Sequence, residues 1–152
     1  MTQSEASILD AFEKNELDIS ELYKIYSEKI LEHSDFWRRL SNEEIGHAKE
    51  ISSLNNNASE EQFQENKFSR GVINYISSFV SEQIEYAKNN VISHSDAINI
   101  ALRVEQSMLE KKCFEMFSPT GATLREVLTR LNKDTNKHEM MLREELKKQA
   151  KG

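Results

Sequence analysis

Six polar residues occupy positions of this sequence where the surrounding pattern would place apolar side chains. They are Glu16, Glu44, His47, Glu105, Thr135 and His138. Each one interrupts a run of apolar residues spaced three and four apart, near the middle of that run. A carboxylate buried without a partner is costly, and several together repel one another unless protons or cations are supplied. Metal ions bound by carboxylate and imidazole groups would resolve this conflict, so the pattern predicts a metal site.

Long helices are needed to bring these six positions together. The predicted helices cover, roughly, residues 4–32, 34–54, 96–117 and 122–148. One or two shorter helices are expected between residues 58 and 95, and Ser93 to Asp96 has the composition of a helix start. Two helical hairpins, 4–54 and 96–149, joined by a crossover over 55–95, are expected to pack as a four-helix bundle. The centres of the four long helices would then share one layer, which holds the six polar residues.

Composition limits the class of protein. The chain has 152 residues with only 4 glycines and 1 proline, which argues for one all-α domain over 1–152 and against an all-β fold. The net charge of −6 gives no basic footprint for nucleic acid. No apolar run is long enough for a transmembrane helix, and the first residues do not resemble a secretory signal. We therefore expect a cytoplasmic protein with no nucleic-acid or membrane partner.

The ordered set of residues resembles the rubrerythrin branch of the ferritin-like superfamily, and the resemblance covers nearly the whole chain. The matching residues are Glu16 with Tyr23 seven residues on, Glu44-Ile45-Gly46-His47 followed by Ala48, Ile100-Ala101-Leu102-Arg103-Val104-Glu105, and His138. The resemblance implies a ferritin-like four-helix bundle with a long helical crossover. It also implies a non-haem iron site. Its ligands would be Glu16 and Glu105 as terminal carboxylates, Glu44 as a bridge, and His47 and His138 as one imidazole per metal, with Tyr23 nearby.

The resemblance also implies a reaction class. In the family the reduced di-iron centre reacts with hydrogen peroxide or dioxygen, so peroxide reduction or ferrous oxidation is the expected chemistry. Rubrerythrins also carry a rubredoxin-like domain with two Cys-x-x-Cys pairs, whereas this chain has the single cysteine Cys113. We therefore expect another protein to supply electrons, and the resemblance favours a homodimer. Manganese and zinc accept the same ligand types as iron.

The second hairpin departs from the family pattern at two positions. Thr135 stands where a second bridging carboxylate is expected, and Lys112 stands where a tyrosine is expected. Three carboxylates leave about one uncompensated positive charge on two divalent ions. Asp134, water or an exogenous anion could fill the gap, and a site with one metal is a further alternative. The remaining alternatives are a metal-free structural or interaction protein with a vestigial site, and an iron storage or carrier subunit.

Four other residues are expected to have more ordinary roles. His33 and His94 lie at predicted helix ends, where capping or solvent exposure is expected. Trp37 is expected to be a core anchor or a dimer contact, and Cys113 a buried structural thiol.

Overall fold

Helices account for nearly all of the chain that the structure, a computed structural model, describes: residues 3–56, 67–108 and 122–151. The helices are α1 (Gln3–Lys29), α2 (Ser34–Asn56), α3 (Lys67–Asn89), α4 (His94–Gln106) and α5 (Ala122–Lys151), with a short 3₁₀ helix at Leu31–His33 between α1 and α2. The described residues contain no strand, which confirms the all-α class. None of their helices combines the length and apolar character that a membrane span requires.

The end of α1 differs from the prediction, because the helix stops at Lys29 rather than at Glu32. Ile30 leaves the helical region, with φ −107° and ψ 75°, and the chain continues into the 3₁₀ helix. This break points the side chain of Ile30 into the core, where it is 8% exposed, while Leu31 is left 79% exposed. Ending α1 at Lys29 thus allows Ile30 to be buried while Leu31 faces solvent.

The start of α4 agrees with the prediction, since the hydroxyl of Ser93 accepts a hydrogen bond from the backbone N–H of Asp96 at 3.1 Å. The predicted continuation to Phe117 is wrong over the described residues, because α4 ends at Gln106. The hydroxyl of Ser107 donates to the backbone carbonyl of Arg103 at 2.9 Å. Such local bonds from serine compete with the helical pattern. The remainder of the predicted helix, with Lys112 and Cys113, and the break predicted at 118–121 lie outside the described residues.

The segment between the two hairpins contains one long helix in its described part. Residues 67–89 form α3, with Gly71 in its first turns, and residues 57–66 lie outside the described residues. α2 and α5 run two and three residues beyond their predicted ends, to Asn56 and Lys151. The long helices thus agree with the periodicity except where a local hydrogen bond or turn intervenes.

Contacts between side chains fix the directions of the first three helices. Ser20 meets Ser41 at 2.9 Å, and Glu16 of α1 meets His47 further along α2, so α1 and α2 are antiparallel. The side-chain amide of Asn15 donates to the carbonyl of Ile73, and Lys29 reaches the carbonyl of Lys88. These contacts advance in the same order along both helices, so α3 runs parallel to α1.

The last two helices are placed in the same way. His94 meets Glu145 and Glu105 meets His138, so α4 and α5 are antiparallel. Glu50 of α2 meets Arg130 of α5. One and two turns earlier in α2, His47 meets Asp134 and Glu43 meets His138, so these two helices are also antiparallel. The end of α4 and the middle of α2 therefore face the middle of α5.

Two apolar clusters fill the interior at different heights. One contains Trp37, Tyr23, Tyr26 and Leu142 among others, and the other contains Phe12, Ile51, Val127, Leu128 and Leu131. Along α1 the order is Phe12 of the second cluster, then Glu16, then Ile19 of the first cluster. The polar residues of the sequence pattern lie in a layer between the clusters.

Candidate metal centre

The layer between the two apolar clusters consists of buried polar side chains. Glu16, Glu44, Glu105, Thr135 and His138 are 0% exposed, and His47 is 3% exposed. They come from α1, α2, α4 and α5, at the positions where the apolar pattern of each helix is interrupted. The predicted burial of all six residues is therefore confirmed, and packing on both sides keeps bulk water away from them.

The first half of the centre is formed by α1 and α2. Nδ1 of His47 lies 3.3 Å from Oε2 of Glu44 and 3.7 Å from Oε2 of Glu16. Glu44 and His47 are one helical turn apart, so their side chains leave α2 on the same face. One ligand atom from each of these three residues falls within 4.8 Å of the others, close enough to surround a single ion.

The second half is formed by α4 and α5, together with Glu44 from α2. Nδ1 of His138 lies 2.8 Å from Oε1 of Glu105 and 3.2 Å from Oε1 of Glu44. One ligand atom from each of these three residues again falls within 4.8 Å of the others. Glu44 belongs to both groups and turns one oxygen towards each imidazole. The five residues predicted as ligands are therefore brought together as two groups that share one carboxylate.

The outer nitrogen of each imidazole contacts an acidic side chain of the opposite helix, so the two contacts connect α2 and α5. Nε2 of His47 lies 3.2 Å from Oδ2 of Asp134, and Nε2 of His138 lies 2.6 Å from Oε1 of Glu43. The two rings are 5.6 Å apart at their centroids and inclined by 20°. Each histidine thus has its Nδ1 turned to the centre and its Nε2 held by an acid on the other helix.

Glu43 does not stand out in the sequence as a functional residue, although a signal for it exists. An acid stands four residues before each histidine, Glu43 before His47 and Asp134 before His138. This spacing suggests pairing within one helix. The structure shows exchanged partners instead, because α2 and α5 are antiparallel and in register at this height.

Asp134 does not replace the missing bridging carboxylate. Its side chain is 53% exposed and reaches only the outer nitrogen of His47. Thr135 is fully buried one turn before His138, the place that Glu44 holds before His47. The buried centre therefore has three carboxylates and two imidazoles, and Asp134 contributes an outer contact.

The electrostatics of the centre are those of a tightly paired ion network. Burial alone would lower the pKa of His138, but its contacts with Glu105 and Glu44 outweigh burial and raise that pKa to about 11. The pKa of His47 is raised in the same way by Glu16 and Glu44. Burial would raise the pKa of Glu44, but contacts with Glu16 and both imidazoles hold it well below the usual range. Without metal, the imidazoles therefore carry the positive charge.

Tyr23 lies beside the centre, two helical turns along α1 from Glu16. It is 0% exposed. Burial raises the pKa of its phenol, and the nearby charges of Glu105 and Glu44 raise it further. Its position near the acids agrees with the prediction for this residue.

A second polar group lies away from this centre, where His94, His33 and Glu145 meet. His94 was expected to cap a helix or face solvent, and that prediction is wrong because His94 is only 7% exposed. The indole N–H of Trp37, which lies in the core as predicted, donates to its Nδ1 at 3.1 Å. This contact spans 57 residues of sequence, so no local pattern reveals it.

Comparisons of the chain with protein-family models, with characterised proteins and with solved structures found no match. Function is therefore inferred from the geometry and chemistry of the buried centre.

Proposed function

We propose that this protein binds two divalent metal ions in the buried layer and uses them, as iron, in redox chemistry with peroxide or dioxygen. The observation that carries the proposal is the position of Glu44, which belongs to both groups of ligand atoms. In di-metal helical bundles, a carboxylate shared between two ions is the expected arrangement. The proposed scaffold is a four-helix bundle of α1, α2, α4 and α5, with α3 as part of the crossover.

The residues present fit such a pair of ions. Both oxygens of Glu44 are buried, and no described residue gives them a hydrogen bond of acceptable geometry. Orphaned acceptors of this kind are rare in protein interiors, and a bound ion is one way to satisfy them. The imidazole nitrogens 3.2 and 3.3 Å away are close enough to share such an ion with Glu44. Glu16 and His47 would hold one ion, Glu105 and His138 the other, and Glu44 both. A mixed carboxylate and imidazole set suits iron, manganese and zinc.

The protein's own groups would prepare this site for metal. Metal binds the neutral imidazole, so Nδ1 must present its lone pair while Nε2 keeps the proton. Glu43 and Asp134 accept that Nε2 proton, which fixes both the tautomer and the ring orientation. The apolar clusters above and below keep the layer dry, which strengthens each charge interaction.

Bound ferrous iron would supply the electrons for reducing peroxide or dioxygen. The resemblance to rubrerythrins supports this reaction class, with oxidation of ferrous iron as the related outcome. Restoring the reduced state requires an electron donor, which we propose is a separate protein.

The second candidate function is a structural role for a metal-free ion network. It is favoured by the contacts of the imidazoles, because both nitrogens of His138 lie within 2.8 Å of a carboxylate oxygen. Two imidazolium ions would then stabilise the layer without metal. Removing one partner of such a buried pair is strongly destabilising.

Metal content distinguishes the two functions. The protein is purified without a chelator or a polyhistidine tag, loaded anaerobically with ferrous ion, and analysed for iron per chain. We expect about two ions per chain for the wild type and fewer than one for Glu44→Gln, because both sites lose a ligand. Glu50→Gln is the matched control, since Glu50 lies on the same helix and pairs with Arg130 at the surface. A wild type with no iron after loading would contradict the metal proposal and support the structural role.

A further inference from the structure

A hydrogen-bonded chain connects the apolar core to the end of the bundle where α1 and α2 join. The indole N–H of Trp37 donates to Nδ1 of His94 at 3.1 Å, and Nε2 of His94 lies 2.9 Å from Oε2 of Glu145. The ring of His94 stacks on that of His33, with centroids 3.7 Å apart and an angle of 6°. Trp37 is 0% exposed, whereas His33 is partly exposed.

The indole fixes the tautomer of His94. An indole N–H can only donate, so Nδ1 of His94 must present a lone pair, and in the neutral ring the proton lies on Nε2. Burial and the neighbouring His33 lower the pKa of His94, against the opposing effect of Glu145. The proton on Nε2 points to Glu145. A metal ion at Nε2 would displace that proton and oppose the indole bond, so the group is better suited to moving a proton than to holding a metal.

Trp37 also contacts aromatic rings that lead towards the candidate metal centre. The centroid of its ring system lies 5.5 Å from that of Tyr23 and 4.9 Å from that of Tyr26. Tyr23 lies two turns along α1 from Glu16, and both side chains are fully buried. A series of neighbouring side chains therefore runs from the layer of buried acids through Tyr23 and Trp37 to His94.

Among these three aromatic side chains, only Trp37 has a proton acceptor within the described part of the chain. The hydroxyls of Tyr23 and Tyr26 are buried without a hydrogen-bond partner there. An oxidised aromatic side chain becomes strongly acidic, and oxidation is favourable where a base can take the proton. Of these three side chains, Trp37 is therefore the one that can pass its proton to a base of the described chain when it is oxidised.

We propose that Trp37 is a proton-coupled electron relay between the candidate metal centre and the surface near His33 and Glu145. The direction of electron flow depends on the proposed function, whereas the coupled proton transfer does not. If Trp37 lost one electron, by way of Tyr23, to iron that peroxide or dioxygen had oxidised at the candidate centre, its Nε1 proton would move to Nδ1 of His94. The products are a neutral indolyl radical and an imidazolium paired with Glu145. A one-electron carrier, the external donor, then returns the electron, and the proton moves back to Nε1, so the cycle releases no proton.

The outer end of the relay opens on a surface hollow of about 400 Å³. It is lined by the end of α1, the turn that follows it, the start of α4 and one residue of α5, including Lys29, Glu32, His33, His94 and Gln149. The relay therefore reaches a surface that an electron donor can approach, while the metal centre itself lies between two apolar clusters.

The test uses the metal-free protein, so that its result does not depend on metal binding. Trp37 is the sole tryptophan of the chain, so an indole radical can be assigned to it without ambiguity. A ruthenium(III) oxidant generated by a laser flash removes the electron, and transient absorption distinguishes the neutral radical from the radical cation. The matched variant is His94→Asn, whose side-chain carbonyl can accept the indole hydrogen bond but is not basic. A second variant, Glu145→Gln, keeps the size and removes the charge that stabilises the imidazolium.

In the wild type we expect the neutral indolyl radical to be the first species detected. We also expect oxidation of Trp37 to be slower in deuterated water than in ordinary water. We expect His94→Asn to give the radical cation and to slow oxidation by about tenfold, with a smaller effect for Glu145→Gln. If the radical species and rates are the same in wild type and folded variants, the relay is wrong and His94 has only a structural role. If His94→Asn fails to fold, Glu145→Gln decides by the same comparison. Absence of metal in the loading experiment above would overturn the connection of the relay to the candidate centre, whereas the proton transfer from Trp37 to His94 is decided by the flash experiment alone.

Discussion

Glu43 on α2 and His138 on α5 form one of the shortest polar contacts of the buried layer, with Oε1 2.6 Å from Nε2. Asp134 on α5 makes the corresponding contact with His47 on α2 at 3.2 Å. Each acid therefore orients the histidine of the opposite helix, while standing four residues before the histidine of its own. The two contacts join α2 to α5 and turn Nδ1 of both rings towards the shared carboxylate Glu44.

We expect Glu43→Gln and Asp134→Asn each to weaken metal binding by about ten- to a hundredfold, the range found when outer partners of ligating histidines are removed. The physical reason is that an uncharged amide is a weaker acceptor than a carboxylate and can also turn its NH2 group to the ring, so it no longer fixes the tautomer. Competition with a chromophoric chelator measures the affinity for zinc, which avoids redox side reactions. Glu50→Gln, a partly exposed acid on α2, should leave the affinity unchanged. Equal affinities for all three variants and the wild type would show that the outer contacts do not orient the ligands.

The stability of the metal-free protein should fall as the pH rises above neutrality. The pKa of His138 is about 11 in the folded protein, whereas the ordinary value, which applies to the unfolded chain, is 6.5. A raised folded pKa gives stability that is fully present below pH 6.5 and lost as the pH rises through about 11. The loss in free energy of unfolding is at most about 1.4 kcal/mol per pH unit for each imidazolium.

Urea denaturation at several pH values in the presence of a chelator measures this loss. His138→Gln removes one titrating group, so its stability should depend less steeply on pH than that of the wild type. An identical slope for the variant would mean that His138 is not the proton-binding group.

Metal binding should have the opposite pH dependence. Both Nδ1 atoms must lose their protons before they can bind an ion, and the pKa of each histidine is raised in the metal-free state. Binding of two ions should therefore release up to about two protons, and affinity should rise with pH. Calorimetry in buffers of different ionisation enthalpy counts the released protons. Binding without proton release would place the metal away from the two imidazoles.

Much of the buried layer can be predicted from the sequence because burial follows helical periodicity. Glu16, Glu44 and His138 interrupt apolar stripes near helix centres, Glu105 interrupts one at the end of α4, and those interruptions meet when the helices pack. The convergence of the residues is thus readable without a structure. Their role as metal ligands stays a prediction.

The remaining features depend on contacts between residues far apart in sequence. The spacing of Glu43 before His47 suggests pairing within α2, and only the register of α2 against α5 pairs Glu43 with His138 instead. His94 resembles an exposed helix end in the sequence, and only the indole of Trp37 explains its burial. The end of α4 differs from the prediction for a local reason, since the hydroxyl of Ser107 competes for a backbone carbonyl. Periodicity identifies buried faces, but it does not identify partners or helix ends.

Thr135→Glu should have opposite effects on the metal-free and metal-bound protein. Thr135 is fully buried in a layer that already holds three carboxylates, so a fourth would repel them and destabilise the metal-free protein by on the order of 3 kcal/mol. With two divalent ions bound, the same carboxylate would offset the remaining positive charge and raise the affinity by about tenfold.

Thr135→Gln is the matched control, because it has the size of glutamate without the charge. We expect Thr135→Gln to lower the stability of the metal-free protein less than Thr135→Glu and to leave metal affinity unimproved. Urea denaturation with a chelator gives the first comparison, and the zinc competition assay gives the second. If both variants lower stability equally and neither gains affinity, the effect at position 135 is one of packing, and the missing carboxylate does not limit metal binding.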